Sequence, residues 1–161
     1  MGSSRSTPIE IDRASLLELA RGGNLYGDRF ACVRELLQNA ADATLVRLFE
    51  ERGAAAFPTH ERCVADLRET LASRPIDVRV EPVGTEVTTG AIRIRLRDHG
   101  TGISRADLEF LGQLGASWRN PRRRAAVEAM PEWMRPSGTF GIGIHSVFLV
   151  ADELRLRTTH F

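Results

Sequence analysis

Lysine is absent from the sequence, since all 22 of its basic residues are arginines. This absence excludes two kinds of chemistry. A Walker A loop needs its lysine to reach the terminal phosphates of a nucleotide, and a Schiff-base enzyme needs a lysine amine to attack a carbonyl substrate. The sequence therefore excludes a Walker A nucleotide site and Schiff-base catalysis.

The sequence is also poor in cysteine and in long apolar runs. Its two cysteines, Cys32 and Cys63, lie far apart on predicted helices. We expect buried thiols, because the spacing fits neither a disulfide framework nor a zinc site. No apolar stretch is long enough to cross a membrane, and the N-terminal residues do not resemble a signal peptide. The simplest interpretation is a soluble, cytoplasmic protein with no membrane partner.

Charge of one sign is not in excess either. The 161 residues carry 22 basic and 21 acidic side chains, for a net charge of +1. This balance gives no reason to expect nucleic acid as a partner. The length and the 42% hydrophobic content suit a single domain with a real core.

The hydrophobic periodicity predicts helices first, then an antiparallel hairpin, then further helices and a last strand. One side of each hairpin strand is apolar, so we expect that side of the sheet to pack on helices. This pattern predicts an α/β two-layer sandwich. The predicted helices span 14–20, 28–51, 59–73, 104–114 and 124–130, with another opening at Gly138, and the predicted strands span 8–12, 76–81, 91–97 and 152–158.

The stretch from Arg34 to Ala43 carries polar side chains at helical spacing. Glu35, Asn39 and Asp42 occur at i, i+4 and i+7, which stacks them on one side of a helix. Two carboxylates and an amide can hold a hard cation through oxygen and leave one carboxylate to activate water. The alternative is an ordinary solvated face of an amphipathic helix.

A second stretch, Asp98-x-Gly100-x-Gly102, follows the second hairpin strand. A carboxylate at a strand end, followed by glycines, offers a hydrogen-bond acceptor beside backbone that a flat ligand can approach closely. The alternative is the turn that an Asp-x-Gly sequence commonly forms between a strand and a helix.

A third stretch, Gly138-x-x-Gly141-x-Gly143, stands at a predicted helix start. Glycines there leave backbone N–H groups open, and the helix N-terminus favours an anion, so the pattern fits a phosphate cradle. It differs from the dinucleotide-binding fingerprint in glycine order. The alternative is a glycine loop required for tight packing.

These three stretches resemble, in order, the N box and the two glycine boxes of the GHKL ATPase superfamily. The amino-acid sequence from Gly138 to Asp152 is most similar to the Hsp90/HtpG form of the N-terminal ATP-binding domain. Leu25-Tyr26, ahead of Arg34-Glu35, also resembles the Hsp90 sequence. The resemblance extends from about Ile9 to Thr158. It implies a Bergerat fold, with helices on one face of a mixed, mainly antiparallel sheet and with ATP bound between the layers.

The resemblance also implies roles for particular residues. Glu35 would be the general base for the attacking water, Asn39 would coordinate Mg²⁺, and Asp98 would accept the adenine amino group. Asp42 would lie near the nucleotide, and residues 115–137 would form a lid over ATP. The remaining nucleotide-binding positions, in the two glycine boxes, would be Gly100, Gly102, Gly138, Gly141, Ile142, Gly143 and Ile144.

The sequence departs from the family pattern at three points. It has no lid lysine, and His145 replaces the usual aromatic residue after the second glycine box. We also expect residues 1–161 to be an Hsp90-like domain that is incomplete at its C-terminus, without the later strands and their adenine-contacting threonine. Hydrolysis of ATP by this chain alone is therefore expected to be weak.

The function implied by the resemblance is ATP binding and slow Mg²⁺-dependent hydrolysis, as the N-terminal domain of a homodimeric Hsp90/HtpG-like chaperone that acts on client proteins. The alternative is an ATP-sensing GHKL module of a multidomain regulatory or defence protein. The amino-acid sequence of 140–152 and the balanced charge disfavour a nucleic-acid enzyme related to MutL or topoisomerases.

Overall fold

The computed structural model describes residues 31–84, 90–111, 121–137 and 144–160. The predicted strand 8–12, the predicted helix 14–20, Leu25-Tyr26 and the second glycine box at 138–143 lie outside these residues. In chain order the described elements are helix α1 (Ala31–Arg52), a 3₁₀ helix (Ala54–Ala56), α2 (His60–Ala72), strands β1 (Asp77–Pro82) and β2 (Ile92–Arg97), α3 (Arg105–Leu111), α4 (Pro121–Glu128) and two 3₁₀ helices (Glu132–Met134 and His145–Leu149).

Helix α1 confirms the long predicted helix over its described part. It ends where predicted, because Gly53 adopts a φ of 75° that side chains disfavour. The Gly53 N–H donates to the carbonyl of Phe49 over 2.8 Å, which satisfies one of the last carbonyls of the helix. The following helix, α2, begins after Thr59, one residue later than predicted.

The hydrophobic core lies between α1, α2 and the segment after α4. Its members are at most 7% exposed; they are Leu48, Phe57, Cys63, Leu67, Met130 and Met134. Trp133 packs at the edge of this cluster, with its ring centroid 5.4 Å from that of His60. Burial of Met130 and Met134 anchors one end of the predicted lid, 115–137, in the core.

The hairpin confirms the predicted antiparallel strands. Val78 pairs with Leu96 and Val80 with Ile94, so the apolar side chains do share one face. The expectation that this face packs on helices is wrong for most of its length, because Val80 is 62% and Ile92 56% exposed. Among the described residues, β2 contacts helix α1, and Leu96 is the one residue of β2 that is half-buried.

Two further predictions need correction. The predicted strand 152–158 forms no strand, and the residues after Gly143 form a 3₁₀ helix, His145–Leu149, where an α-helix was expected. A strand needs a neighbour that exchanges backbone hydrogen bonds. The segment instead meets residues 101–103 through side chains, since the Ile103 N–H donates to the Thr158 hydroxyl over 2.8 Å. The described residues thus form a small α/β domain with a two-stranded antiparallel sheet.

Helix α3 confirms the predicted N-cap at Ser104. The Asp107 N–H donates to the Ser104 hydroxyl over 3.1 Å, and the Ser104 N–H donates back to the Asp107 carboxylate over 3.3 Å. This reciprocal pair is a capping box with aspartate in the usual place of glutamate. It fixes the direction in which the chain leaves the first glycine box.

Candidate functional site

Helix α1 carries the first set of predicted site residues, and these residues differ in how far they are exposed to solvent. Asn39 is exposed and Glu35 is half-buried, whereas Asp42 is only 6% exposed. The Asp42 carboxylate accepts a hydrogen bond from the Gln38 side-chain amide over 3.0 Å. Glu35 and Asn39, one turn apart, are therefore the members of this set whose side chains can meet a ligand, and Asp42 is turned towards the interior.

The first glycine box forms a tight turn at the end of β2. The Gly100 N–H donates to the Asp98 carboxylate over 2.8 Å, which is the Asp-x-Gly turn that the sequence left open as an alternative. Asp98 itself is exposed. Of its two carboxylate oxygens, Oδ1 accepts this bond, and within the described part of the chain Oδ2 has no partner. The turn and a ligand contact are therefore compatible.

Gly100 brings this turn directly onto helix α1. A Cβ atom at Gly100 would lie 2.4 Å from the Cβ of Ala43 and 2.8 Å from its carbonyl carbon, so only glycine fits. The next residue, Thr101, donates its N–H to the Ala43 carbonyl over 3.2 Å. Ala43 is one helical turn from Asn39, which is about 6 Å along the axis. The first and second predicted stretches therefore meet in space.

Gly102 has a second close neighbour that the sequence did not reveal. Its φ is +73°, and a Cβ atom there would lie 2.0 Å from the carbonyl oxygen of Thr159. Close by, the Nδ1 atom of His160 lies 3.1 Å from the Thr101 carbonyl oxygen. Residues 158–160 thus run along the first glycine box. Their threonines carried no periodic signal that could have predicted this contact.

Ile144 directly follows the second glycine box, and it is the only predicted phosphate-binding position of that region that lies within the described residues. Ile144 is half-buried, and the 3₁₀ helix after it packs against α1. Gly138, Gly141, Ile142 and Gly143 lie outside the described residues, so the phosphate cradle stays a prediction. What the structure adds is that the chain leaves this box beside the helix that carries Glu35 and Asn39.

Arg47 is a residue that the sequence analysis missed. Its Nη1 atom donates to the carbonyls of His99 and Gly100, over 3.3 and 3.5 Å. The i, i+4 spacing of Arg47 and Glu51 is visible in the sequence, but it gives no indication of the contact with the glycine box.

The charge of this region is organised around Glu51. Its carboxylate binds Arg74 over 2.6 Å and Arg47 over 2.7 Å. Hydrogen bonds from Arg74 and then from Arg47 lower the pKa of Glu51, so its negative charge is secure at neutral pH. One carboxylate therefore ties the end of α2 to the helix below the first glycine box.

The described residues hold no group of three or more histidine, cysteine, aspartate or glutamate side chains that could bind a metal by themselves. A cation at Asn39 would need most of its ligands from elsewhere. Magnesium commonly binds in this way, through one or two protein oxygens plus phosphates and waters. In the same part of the chain, none of the helices has the length and apolar character to span a membrane.

Comparison with known proteins gives a consistent similarity. The chain is 37% identical over 136 residues to the chaperone protein HtpG of Methylorubrum populi, an alignment that covers 81% of this chain and 19% of that protein. It is 32% identical to the HtpG of Mycobacterium ulcerans, over 84% of this chain and 19% of that one. With the HtpG of Nocardia farcinica the identity is 30%, over 93% of this chain and 21% of that one.

The chain thus spans about a fifth of the length of these curated relatives. It matches no model of a known protein family. The similarity to HtpG chaperones agrees with the resemblance carried by the three sequence stretches.

Proposed function

We propose that this chain is the ATP-binding domain of an Hsp90/HtpG-like chaperone, and that it hydrolyses ATP slowly with Mg²⁺. The observation that carries the proposal is the packing of Gly100 and Thr101 on Ala43. This contact joins the glycine box assigned to adenine with the helix assigned to the metal and the water. The similarity to HtpG chaperones supports the same assignment. Homodimerisation and action on client proteins belong to the proposal for the whole protein.

Asp98 is proposed to recognise adenine. A carboxylate that is exposed at the mouth of a glycine turn can accept a hydrogen bond from an exocyclic amine. Its Oδ1 atom is held by the Gly100 N–H, so the contact with the base falls to Oδ2. Gly102 has no side chain to obstruct a flat ring, although the Thr159 carbonyl lies close to it. We expect residues 158–160 to border the base.

Asn39 and Glu35 are proposed to act on the phosphate side. The exposed Asn39 amide oxygen fits a magnesium ligand, and Mg²⁺ bound there would neutralise phosphate charge. Glu35, one turn earlier and half-buried, is the general base that takes a proton from the attacking water. Asp42 is less suited to the metal because it is buried and accepts from Gln38. We assign it a supporting role beside the nucleotide.

The phosphates themselves are assigned to the second glycine box. Backbone N–H groups of 141–144 would donate to them. Residues 115–137 are proposed as the lid. Because Met130 and Met134 are buried in the core, any movement of this lid has to take place in the part that is N-terminal to Met130.

The test is calorimetric titration of the full chain with ATP and Mg²⁺, for wild type and Asp98→Asn. Asparagine keeps an oxygen for the Gly100 N–H but loses the charge, so the turn survives. We expect ATP affinity to fall at least about tenfold, because hydrogen bonds to charged groups contribute about 1.5–3 kcal/mol. Asp77→Asn, at an exposed aspartate that pairs with Arg97 at the start of β1, is the matched control and should bind as wild type.

Three outcomes decide this test. Loss of affinity in Asp98→Asn alone supports the proposed adenine contact. Equal affinity in wild type and Asp98→Asn contradicts that contact. No ATP binding by a wild-type chain with a cooperative unfolding transition overturns the proposed function for residues 1–161.

A further inference from the structure

Arg47 connects the interior of the domain with the first glycine box. Its side chain is 21% exposed, and its Nη1 atom lies 3.3 Å from the His99 carbonyl oxygen and 3.5 Å from that of Gly100. Both carbonyls belong to the turn that follows Asp98. A guanidinium that donates to consecutive carbonyls restricts the position and the tilt of the two peptide groups to which these carbonyls belong.

Arg47 is itself held in place. Its Nε atom binds Glu51 over 2.7 Å, and the other oxygen of Glu51 binds Arg74 over 2.6 Å. Arg74 follows helix α2, whose Cys63 and Leu67 are in the core. The glycine box is therefore linked, through two arginines and one carboxylate, to the most deeply packed part of the described structure.

The same turn fixes the orientation of the Asp98 carboxylate. Arg47 binds the carbonyl of His99, which belongs to the same peptide group as the Gly100 N–H, and that N–H donates to Asp98 Oδ1 over 2.8 Å. A rotation of this part of the turn would move the N–H and, with it, the carboxylate that it holds. A second hydrogen bond, from the Thr101 N–H to the Ala43 carbonyl, also holds the turn. It restrains the next peptide group, between Gly100 and Thr101.

We propose that Arg47 is a positioning residue: it orients the Asp98 carboxylate for the exocyclic amino group of a purine nucleotide by holding the carbonyls of His99 and Gly100. The inference rests on the proposed nucleotide function, and it assigns base selectivity to a residue outside the glycine box. Arg47 does not touch the nucleotide.

The test compares Arg47→Met with Arg52→Met. Methionine removes the donors and keeps much of the side-chain length. Arg52 is a matched control, because it lies on the same helix and binds Asp66 and Thr70 on α2 without contacting the glycine box. The ligands are ATP and purine riboside triphosphate, which lacks the 6-amino group but carries the same sugar and phosphates.

In the wild type ATP should bind more tightly than purine riboside triphosphate. In Arg47→Met this preference should fall about fivefold, the effect of one hydrogen bond of ordinary strength. In Arg52→Met it should not change. A purely structural role for Arg47 would weaken both nucleotides by the same factor and leave the preference intact, and that result would overturn the inference.

Amide hydrogen exchange supplies a measurement that needs no nucleotide. The Gly100 and Thr101 N–H groups are bonded to Asp98 and Ala43, so they report the turn directly. Their exchange should accelerate in Arg47→Met and stay as in wild type in Arg52→Met. Unchanged exchange in Arg47→Met overturns the role of Arg47. A wild type without preference for ATP overturns the proposed adenine contact, while exchange still decides whether Arg47 holds the turn.

Discussion

The helical core and the hairpin bury their apolar side chains to very different extents. Leu48 on α1 and Met134 are 0% exposed, whereas Ile92 and Val80 on the hairpin are 56% and 62% exposed. Both regions form regular secondary structure. The hairpin therefore owes its order to the ladder of β1 and β2, and the helices owe theirs to side-chain burial.

The difference matters because the candidate site lies where the two regions meet. Glu35 and Asn39 belong to the packed helix, and Asp98 belongs to the end of the exposed hairpin. What joins them is a small set of contacts at Gly100, Thr101 and Arg47. We infer that these contacts govern the geometry of the site, while the core governs the stability of the domain.

The largest expected effect comes from a matched pair of truncations, Leu48→Ala and Ile92→Ala. Each removes the same number of carbon atoms from a branched aliphatic side chain. Leu48→Ala leaves a cavity in the core and should cost about 2–5 kcal/mol. Ile92→Ala should cost less than about 1 kcal/mol, because the side chain is 56% exposed. Urea unfolding of both variants measures the difference.

The comparison would fail if Ile92→Ala were as costly as Leu48→Ala. In that case the apolar side of the hairpin would be covered in solution. Repeating the titration at two protein concentrations would then distinguish a second copy of the chain from a cover within the same chain, since only the former depends on concentration.

A smaller effect is expected from Gly100→Ala. Gly100 belongs to the junction, by which we mean the contacts of Gly100, Thr101 and Arg47 that join helix α1 to the end of the hairpin. The new Cβ would lie 2.4 Å from the Cβ of Ala43, so the turn has to move away from helix α1. We expect a loss of about 1–3 kcal/mol, the usual cost of overpacking. Ala43→Gly alone should cost about 1 kcal/mol, because glycine is unfavourable within a helix.

A double-mutant cycle tests whether these two residues meet. The pair Gly100→Ala with Ala43→Gly should be more stable than the sum of the single changes predicts, because the Cβ contact is gone. Recovery should be partial, since the Ala43 carbonyl carbon still lies 2.8 Å from the new Cβ. Strict additivity of the free energies of unfolding would contradict the contact and, with it, the meeting of the two predicted stretches.

The sequence predicted the local features well. The end of α1 at Gly53, the cap at Ser104 and the alternating strands of the hairpin each depend on signals within a few residues, and each is confirmed. Local patterns succeed here because capping, glycine backbone freedom and side-chain alternation are short-range effects.

The long-range features were not predictable in the same way. Alternation in the hairpin shows which side is apolar, but it does not show whether anything covers that side. The 152–158 segment alternates as a strand does, yet a strand also needs a partner. In the site, spacing grouped Asp42 with Asn39, although α1 turns Asp42 inward. Arg47 escaped notice because its partners, His99 and Gly100, lie more than 50 residues away.

The smallest expected effect concerns Glu51, which links the core to the junction. Its folded pKa is lowered, first by Arg74 and then by Arg47, so its ionised form stabilises the fold at neutral pH. That contribution is complete above the ordinary glutamate pKa of 4.5, and it is lost as the pH falls through the lower folded value. Glu51→Gln should lower stability by about 0.5 kcal/mol at neutral pH, since the pairs are at the surface. On acidification the two proteins should converge.

The measurement is the urea midpoint of wild type and Glu51→Gln at neutral pH and below pH 4.5, the ordinary glutamate value. Glu50→Gln, at the exposed neighbouring glutamate, is the control and should follow wild type at both pH values. If the gap between wild type and Glu51→Gln stayed constant as the pH fell, Glu51 would not be the group whose charge holds Arg47 and Arg74. The position of Arg47 at the glycine box would then not depend on the charge of Glu51.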